Sequence, residues 1–286
     1  MMNNLNLSKN TLGGFLRFEI KPYLSIIKIR FILLLQYRAA ALAGICTHFL
    51  FGFVRVMVFE AFYNSSSIIQ PLSYTQTITY IWLSQALLGL QPWNGDRELQ
   101  SLIRSGNVAY ELCRPLNLYN QWYSRSIALR SAPTLLEALP LFLITVFLLP
   151  EQYRLVLPDS SVLVICWMIT TVGALLLSAA ITNLINVSTI WTISGRGVER
   201  LLPALVMFFS GMIVPIPLFP DWLQRIVIHL PFSGLVDIPM RFFTGALTVQ
   251  TLLPMLAIQF FWIVVLVIAG RWLTAKGLSK VIIQGG

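Results

Sequence analysis

The chain has 286 residues, of which 57% are hydrophobic and only 11% charged, with a mean hydropathy of +0.76. Soluble domains carry about 25% charged residues, so a chain this poor in charge cannot cover a water-facing surface. Its formal charge of +9 and pI near 9.8 do not mark a nucleic-acid binder, because the basic residues flank apolar segments and form no stripe with interleaved aromatics.

Most of the chain falls in apolar runs long enough to supply the roughly 20 helical residues that cross hydrocarbon. They are too continuously apolar for the alternating strands of a barrel. The expectation is an all-α integral membrane protein, a single domain over residues 1–286, with six transmembrane helices. Its first long apolar run begins after about 30 residues with no cleavage pattern, so the N-terminus reads as retained.

Residues 12–28 come first. Leu12, Phe15, Leu16, Ile20, Tyr23 and Leu24 recur at helical spacing, with Arg17, Lys21 and Lys28 off the stripe. Two readings stand: a helix in the membrane interface within a cytoplasmic segment 1–30, or a short solvated helix packed on the bundle. Pro22 is expected to kink or end its first half. The first span runs from Phe31 or Ala39 to Tyr63, and a polar stretch from Asn64 to Ser73 is an outside loop. The second, Tyr74 to Leu90, carries Thr75, Thr79, Ser84 and Gln85. A charged segment, 92–120, has a helical core. The third span covers Tyr123 to Leu149, the fourth Ser161 to Val187, and the short fifth Leu201 to Val214.

Between residues 215 and 240 five prolines punctuate an apolar stretch. Leu223, Ile226, Val227 and Leu230 keep the i, i+3, i+4, i+7 pattern of a short amphipathic helix. Two half-helices dipping into the outer leaflet fit this pattern. Non-helical backbone at such depth requires protein or water to satisfy it. The last span is Leu252 to Leu273. With the N-terminus in the cytoplasm, the inside segments hold all but Arg55, Arg154, Arg225 and Arg241 of the 20 basic residues, which puts both termini in the cytoplasm.

Chemistry-bearing motifs are few. The chain has no G-x-x-x-x-G-K-[ST] phosphate loop and no G-x-S-x-G nucleophile motif. His48 and His229 lack metal-ligand spacing and read as packed or interfacial histidines. Cys46, Cys113 and Cys166 suggest neither a disulfide framework nor a zinc site. Two acid or base positions within spans need an account, since charge there is costly and often functional. Arg55 either snorkels outward or pairs with Glu60, or it serves a pathway. Glu137 either pairs with a basic residue on a neighbouring helix or lines a polar pathway. The loop from Asp96 to Gly106, continuing through Glu111 to Arg114-Pro115-Leu116, suits docking into a groove on a soluble partner, or serves as a plain connector.

The loop Ile103-Arg104-Ser105-Gly106 then Arg114-Pro115-Leu116 is followed by Phe209-Ser210-Gly211-Met212-Ile213-Val214-Pro215. Next come Leu218-Phe219-Pro220-Asp221-Trp222-Leu223, Leu230-Pro231-Phe232 and the terminal Val281-Ile282-Ile283-Gln284-Gly285-Gly286. In this order the chain resembles the permease subunits of type-2 ABC transporters, in a branch first catalogued as a domain of unknown function. The resemblance implies an interfacial N-terminal helix, a cytoplasmic coupling helix and re-entrant outer helices before the last span. It implies an exporter in the cytoplasmic membrane of a bacterium, with two permeases, of the same or related chains, on two copies of an ABC ATPase. ATP and magnesium would belong to that ATPase, and this chain would carry no cofactor or metal and be no enzyme itself. Partners would also include membrane lipids, and no nucleic acid. Leu99, Ile103, Arg104, Gly106, Glu111 and Arg114 would meet the ATPase. Thr79, Gln85, Glu137 and Arg55 are the pathway candidates. An ion-coupled carrier, a membrane-embedded lipid-modifying enzyme and a scaffold subunit are the rival readings.

Overall fold

A computed structural model describes residues 5–66, 68–192 and 196–279, with only the backbone course given for 5–19 and 196. The side chains of Leu12, Phe15, Leu16, Arg17 and Arg196, and the whole of Val281 to Gly286, therefore lie outside the described residues. Among the described residues every regular element is helical. In chain order these are α1 (Leu5–Leu34), α2 (Arg38–Ser65), α3 (Tyr74–Ala86), α4 (Arg97–Arg104), α5 (Ala109–Leu112) and α6 (Leu118–Phe147). They continue with α7 (Ser161–Trp191), α8 (Arg196–Phe209), α9 (Asp221–Val227), α10 (Asp237–Phe243) and α11 (Leu252–Leu278).

Four stretches are long and apolar enough to cross a membrane: α2, α6, α7 and Val249–Leu278, which is α11 with the short turn before it. The stretches expected as the second and fifth spans form shorter helices that are not among these four. The second is α3, extended by a 3-10 turn at Leu88–Leu90, and the fifth is α8, which stops at Phe209. Pro22 does not end α1, which runs unbroken past it. Proline removes one helical hydrogen bond and does not by itself end a helix. The break comes instead at Leu35–Tyr37, so the first span starts at Arg38.

Local chemistry sets where several helices begin. Ser73 and Gln76 form a reciprocal capping box at α3, Asp96 caps α4, Asn117 caps α6 and Ser160 caps α7. Each supplies an acceptor for amides that the first turn leaves open. α4 ends on Gly106, whose φ of 76° is the left-handed conformation that a residue without Cβ adopts freely.

The long helices run up and down, so contacts sort into two ends. At one end Arg30 of α1 meets Glu98 of α4, Gln100 of α4 meets Glu199 of α8, and Arg271 of α11 meets Asn120 of α6. At the opposite end Glu60 of α2 accepts from Tyr153, Gln76 of α3 donates to Thr244, and Trp262 of α11 donates to the His229 carbonyl. The main core between them joins α2, α3, α7, α8 and α10 through residues such as Val56, Ile81, Trp82, Leu177, Val206 and Met240. α10 is buried along almost its whole length, against α3 and α7.

Glycines let these helices approach closely. A Cβ on Gly52 would lie 2.6 Å from the Trp82 ring and 3.2 Å from Gln85 Cγ. Trp82 is fully buried and its indole donates to the Tyr153 carbonyl at 2.7 Å, so it cannot swing away. Gly52→Val is expected to destabilise the protein by about 1–3 kcal/mol through overpacking. A thermal unfolding midpoint in detergent that is unchanged from wild type would contradict this packing.

Candidate functional site: the charged end and its cavity

Two arginines on α6 organise the charged end. Arg130 is almost completely buried and donates from Nε to Thr182 Oγ1 at 2.8 Å and from Nη1 to the Gln91 carbonyl at 2.8 Å. Its Nη2 donates to the Asn94 carbonyl and to Asn94 Oδ1. One guanidinium thus binds α7 and the two sides of the turn that leads from α3 into α4. A buried charge with its donors satisfied in this way fixes backbone that could not otherwise leave water.

Arg125 lies five residues nearer the start of α6 and is as fully buried. Its Nε donates to Asp96 Oδ2 at 2.9 Å, and its Nη2 is 3.3 Å from Glu98 Oε2. Its Nη1 is 3.7 Å from Glu111 Oε1. Asp96 caps α4 with its other oxygen, through the amides of Glu98 and Leu99. The Asp96 amide in turn donates to Asn186 of α7 at 2.7 Å. Glu111 accepts from the Trp122 indole at 2.9 Å. α4 and α5 are therefore bolted to α6 and α7 by one connected ion-pair network.

The network reaches two more helices. Arg30 of α1 grips Glu98 with both terminal nitrogens, at 2.5 and 2.8 Å, the fork geometry in which guanidinium binds carboxylate most strongly. Gln100 donates to Glu199 of α8 at 2.6 Å. The hydrogen bond from Arg30, helped by the nearby charge of Arg125, lowers the Glu98 carboxyl to about 2.

The coupling candidates divide by burial. Leu99 is fully buried with Val108, Trp122 and Val187, Ile103 packs against the same cluster, and Glu111 is buried on Trp122 and Arg125. Gly106 makes the turn. Arg104 and Arg114 are exposed, together with Tyr110 and Leu112 of the same segment. The α4–α5 segment thus has an inner face that holds it and an outer face of mixed charge and apolar groups.

The pathway candidates are not brought into one place. Thr79 is buried and accepts from the Val156 amide at 3.1 Å, and Gln85 is buried behind Gly52. Arg55 does not pair with Glu60, whose carboxylate accepts from Tyr153. It donates to Ser84 at 3.1 Å and to the Ile213 carbonyl at 3.0 Å, tying α2 to α3 and to the turn after α8. Glu137 alone lines a cavity, of about 530 Å³, between α1, the start of α2, the turn before α4, and α6. Its nearest basic group is His48, at 3.6 Å. Among the described residues no cluster of His, Cys, Asp and Glu could hold a metal ion.

Arg125, Arg130, Asp96 and Asn186 were not singled out from the sequence. Two arginines within a 30-residue helix apolar enough to cross a membrane, and Asn183 and Asn186 within an apolar 31-residue one, are the signals that could have found them.

A multi-pass helical bundle with a charged helical segment locked to one end has the build of a membrane transport subunit. Residues 49–285 match the family model described as ABC-2 family transporter protein. The chain belongs to that family, and is a permease component of an ABC transporter. No curated protein and no solved structure matches it.

Two outcomes follow. Arg125→Ala strands the buried carboxylate of Glu111 and the half-buried one of Asp96 and is expected to cost about 3–5 kcal/mol, read as a lowered unfolding midpoint; a loss below about 1 kcal/mol would contradict the network. The Arg30–Glu98 link depends on pH with a definite sign. The folded Glu98 value of about 2 lies below the unfolded value of about 4.3, so the link is at full strength above about pH 4.3 and is lost as pH falls toward 2. A double-mutant cycle of Arg30→Ala and Glu98→Ala is therefore expected to give the same coupling at pH 8 and pH 5.5.

Proposed function

We propose that this chain is half of the membrane pathway of an ATP-driven exporter, with α4 and α5 as the surface that receives a separate ABC ATPase. ATP and magnesium would be held by that partner, and this chain would carry no catalytic group. The single observation that carries the reading is the ion-pair network in which α1, α4, α5 and α6 share Arg30, Glu98, Arg125, Asp96 and Glu111. A push on the outer face of α4–α5 has no soft joint in which to dissipate before it reaches the long helices.

In this reading α2, α3, α6, α7, α8 and α11 are the six crossings, α1 lies in the interface, and α9 and α10 are the outer re-entrant pair. The end bearing α4 carries most of the basic residues, including Arg97, Arg104, Arg114 and Arg271, which supports a cytoplasmic location for it and for both termini. The exposed apolar side chains of α2 and α8, among them Phe51, Val54, Leu201 and Phe208, suit a second permease of the same or related sequence, or lipid. The compartment would be a cytoplasmic membrane.

The test is purification of the tagged chain from its native host in mild detergent, with companions identified and ATP hydrolysis assayed. A soluble ATPase should be recovered. Alanine at the exposed Arg104, Tyr110 or Arg114 should cut its recovery severalfold while the unfolding midpoint of the chain stays within a degree or two. Full recovery by a variant altered at all three positions would overturn the docking assignment. A chain that purifies alone from active membranes would favour an ion-coupled carrier.

A further inference from the structure

The cavity beside α6 holds charges of both signs, and they are not equivalent. At the surface end Arg30 is paired with Glu98, and Arg125 with Asp96 and Glu98. Arg97, exposed, lines the same end, so three cations face two carboxylates there. Glu137 sits at the other end, twelve residues further along α6 and therefore about 18 Å from Arg125 along the helix axis. Between them the wall is apolar, formed by Leu33, Leu34, Leu129, Pro133 and Leu136.

No lysine or arginine ion pair to Glu137 is found among the described residues. His48 is 3.6 Å away, both side chains are mostly buried, and His48 Nδ1 has no hydrogen-bond partner. A neutral imidazole leaves that carboxylate with no counter-charge. Gly44 is the reason it fits: a Cβ there would lie 2.6 Å from Glu137 Oε1, so the acid packs directly on the α2 backbone. Tyr37, 63% exposed, lines the same cavity and offers an aromatic ring where it opens. A mostly buried carboxylate in the wall of a largely apolar cavity attracts a positive group whose other surface is apolar. An aromatic face at the entrance attracts the same class.

We propose that this cavity binds a lipophilic organic cation, with Glu137 as its counter-ion and Tyr37 at its entrance. The inference deepens the transporter reading by naming a substrate class, and rests on that reading only for what the binding is used for. A volume of about 530 Å³ lies within the range of small-molecule sites, about 300–1,000 Å³.

The test uses the full chain in lipid nanodiscs and two probes of one shape and opposite charge, tetraphenylphosphonium and tetraphenylborate. Saturable binding of labelled phosphonium is expected, weakened about tenfold or more in Glu137→Gln, the loss of one partly desolvated ion pair. Glu137→Asp keeps the charge and should stay within about threefold of wild type. Gly44→Ala displaces the carboxylate and should weaken binding without changing any charge. Glu151→Gln, on an exposed turn at the far end, should change nothing. Unfolding midpoints of the variants separate lost binding from lost fold.

Equal phosphonium binding by Glu137→Gln and wild type overturns the site, as does saturable binding of the borate to the same extent. Binding as expected, without phosphonium-stimulated ATP hydrolysis when the chain is joined to its ATPase, upholds the site and counts against the exporter.

Discussion

A guanidinium taken out of water brings a charge and five donors that must find acceptors. Arg130 finds its acceptors in the Gln91 carbonyl, in Asn94 and in Thr182. Those partners come from two distant parts of the chain, so satisfying one side chain determines where the turn after α3 lies against α6 and α7. Much of the charged end follows from that placement. With residues 91–94 fixed, Asp96 is delivered to Arg125, the cap of α4 forms beside Asn186, and Leu99 is carried into the pocket of Trp122 and Val187. Remove the Arg130 clamp and a polar loop would have to hold its place at the bundle end without its main ligand.

The opposite end obeys the same constraint by different means. There the chain leaves helical structure several times between Ser210 and Thr251, and each interruption frees backbone groups that need partners when buried. Arg55 caps the Ile213 carbonyl, and the Asp237 amide donates to the Ser210 carbonyl. Gln259 of α11 donates to Gly234 and Thr170 carbonyls from within an otherwise apolar helix. These polar groups inside spans look like pathway residues in a sequence. Three of the four pathway candidates are engaged in the fold: Arg55 and Thr79 bond backbone, and Gln85 packs at a helix crossing. Glu137 is different because it faces a cavity and no backbone group claims it.

For an ABC permease this arrangement has a mechanical consequence. α4 has a short, rigid connection to α1 through Arg30, to α6 through Arg125, to α7 through Asp96 and Asn186, and to α8 through Gln100. In the proposed transporter, displacement of α4 by an ATPase would be shared among four helices at once. The cavity with Glu137 lies between two of them, α1 and α6. Movement of α1 relative to α6 would therefore change the shape of that cavity directly.

Composition and periodicity were sufficient for the membrane class, the four long spans, the charged helical segment after α3 and the short helix after Pro220. These depend on local properties: a helix long enough to cross hydrocarbon declares itself in one continuous stretch, and a cap such as Asp96 or Asn117 acts on amides two or three residues away. The order of motifs carried the family resemblance, now matched over residues 49–285. The role of each charge was not legible. Arg125 and Arg130 read as topology charges, and Glu111 as a surface contact, because their partners lie 11 to 52 residues away. Arg55 bonds a carbonyl 158 residues away. Whether a charged group docks a partner, clamps a loop or faces a cavity depends on which helices pack beside it. That is decided by the close fit of side chains across helix crossings, such as Gly52 on Trp82 and Gly44 on Glu137, which tertiary structure alone supplies.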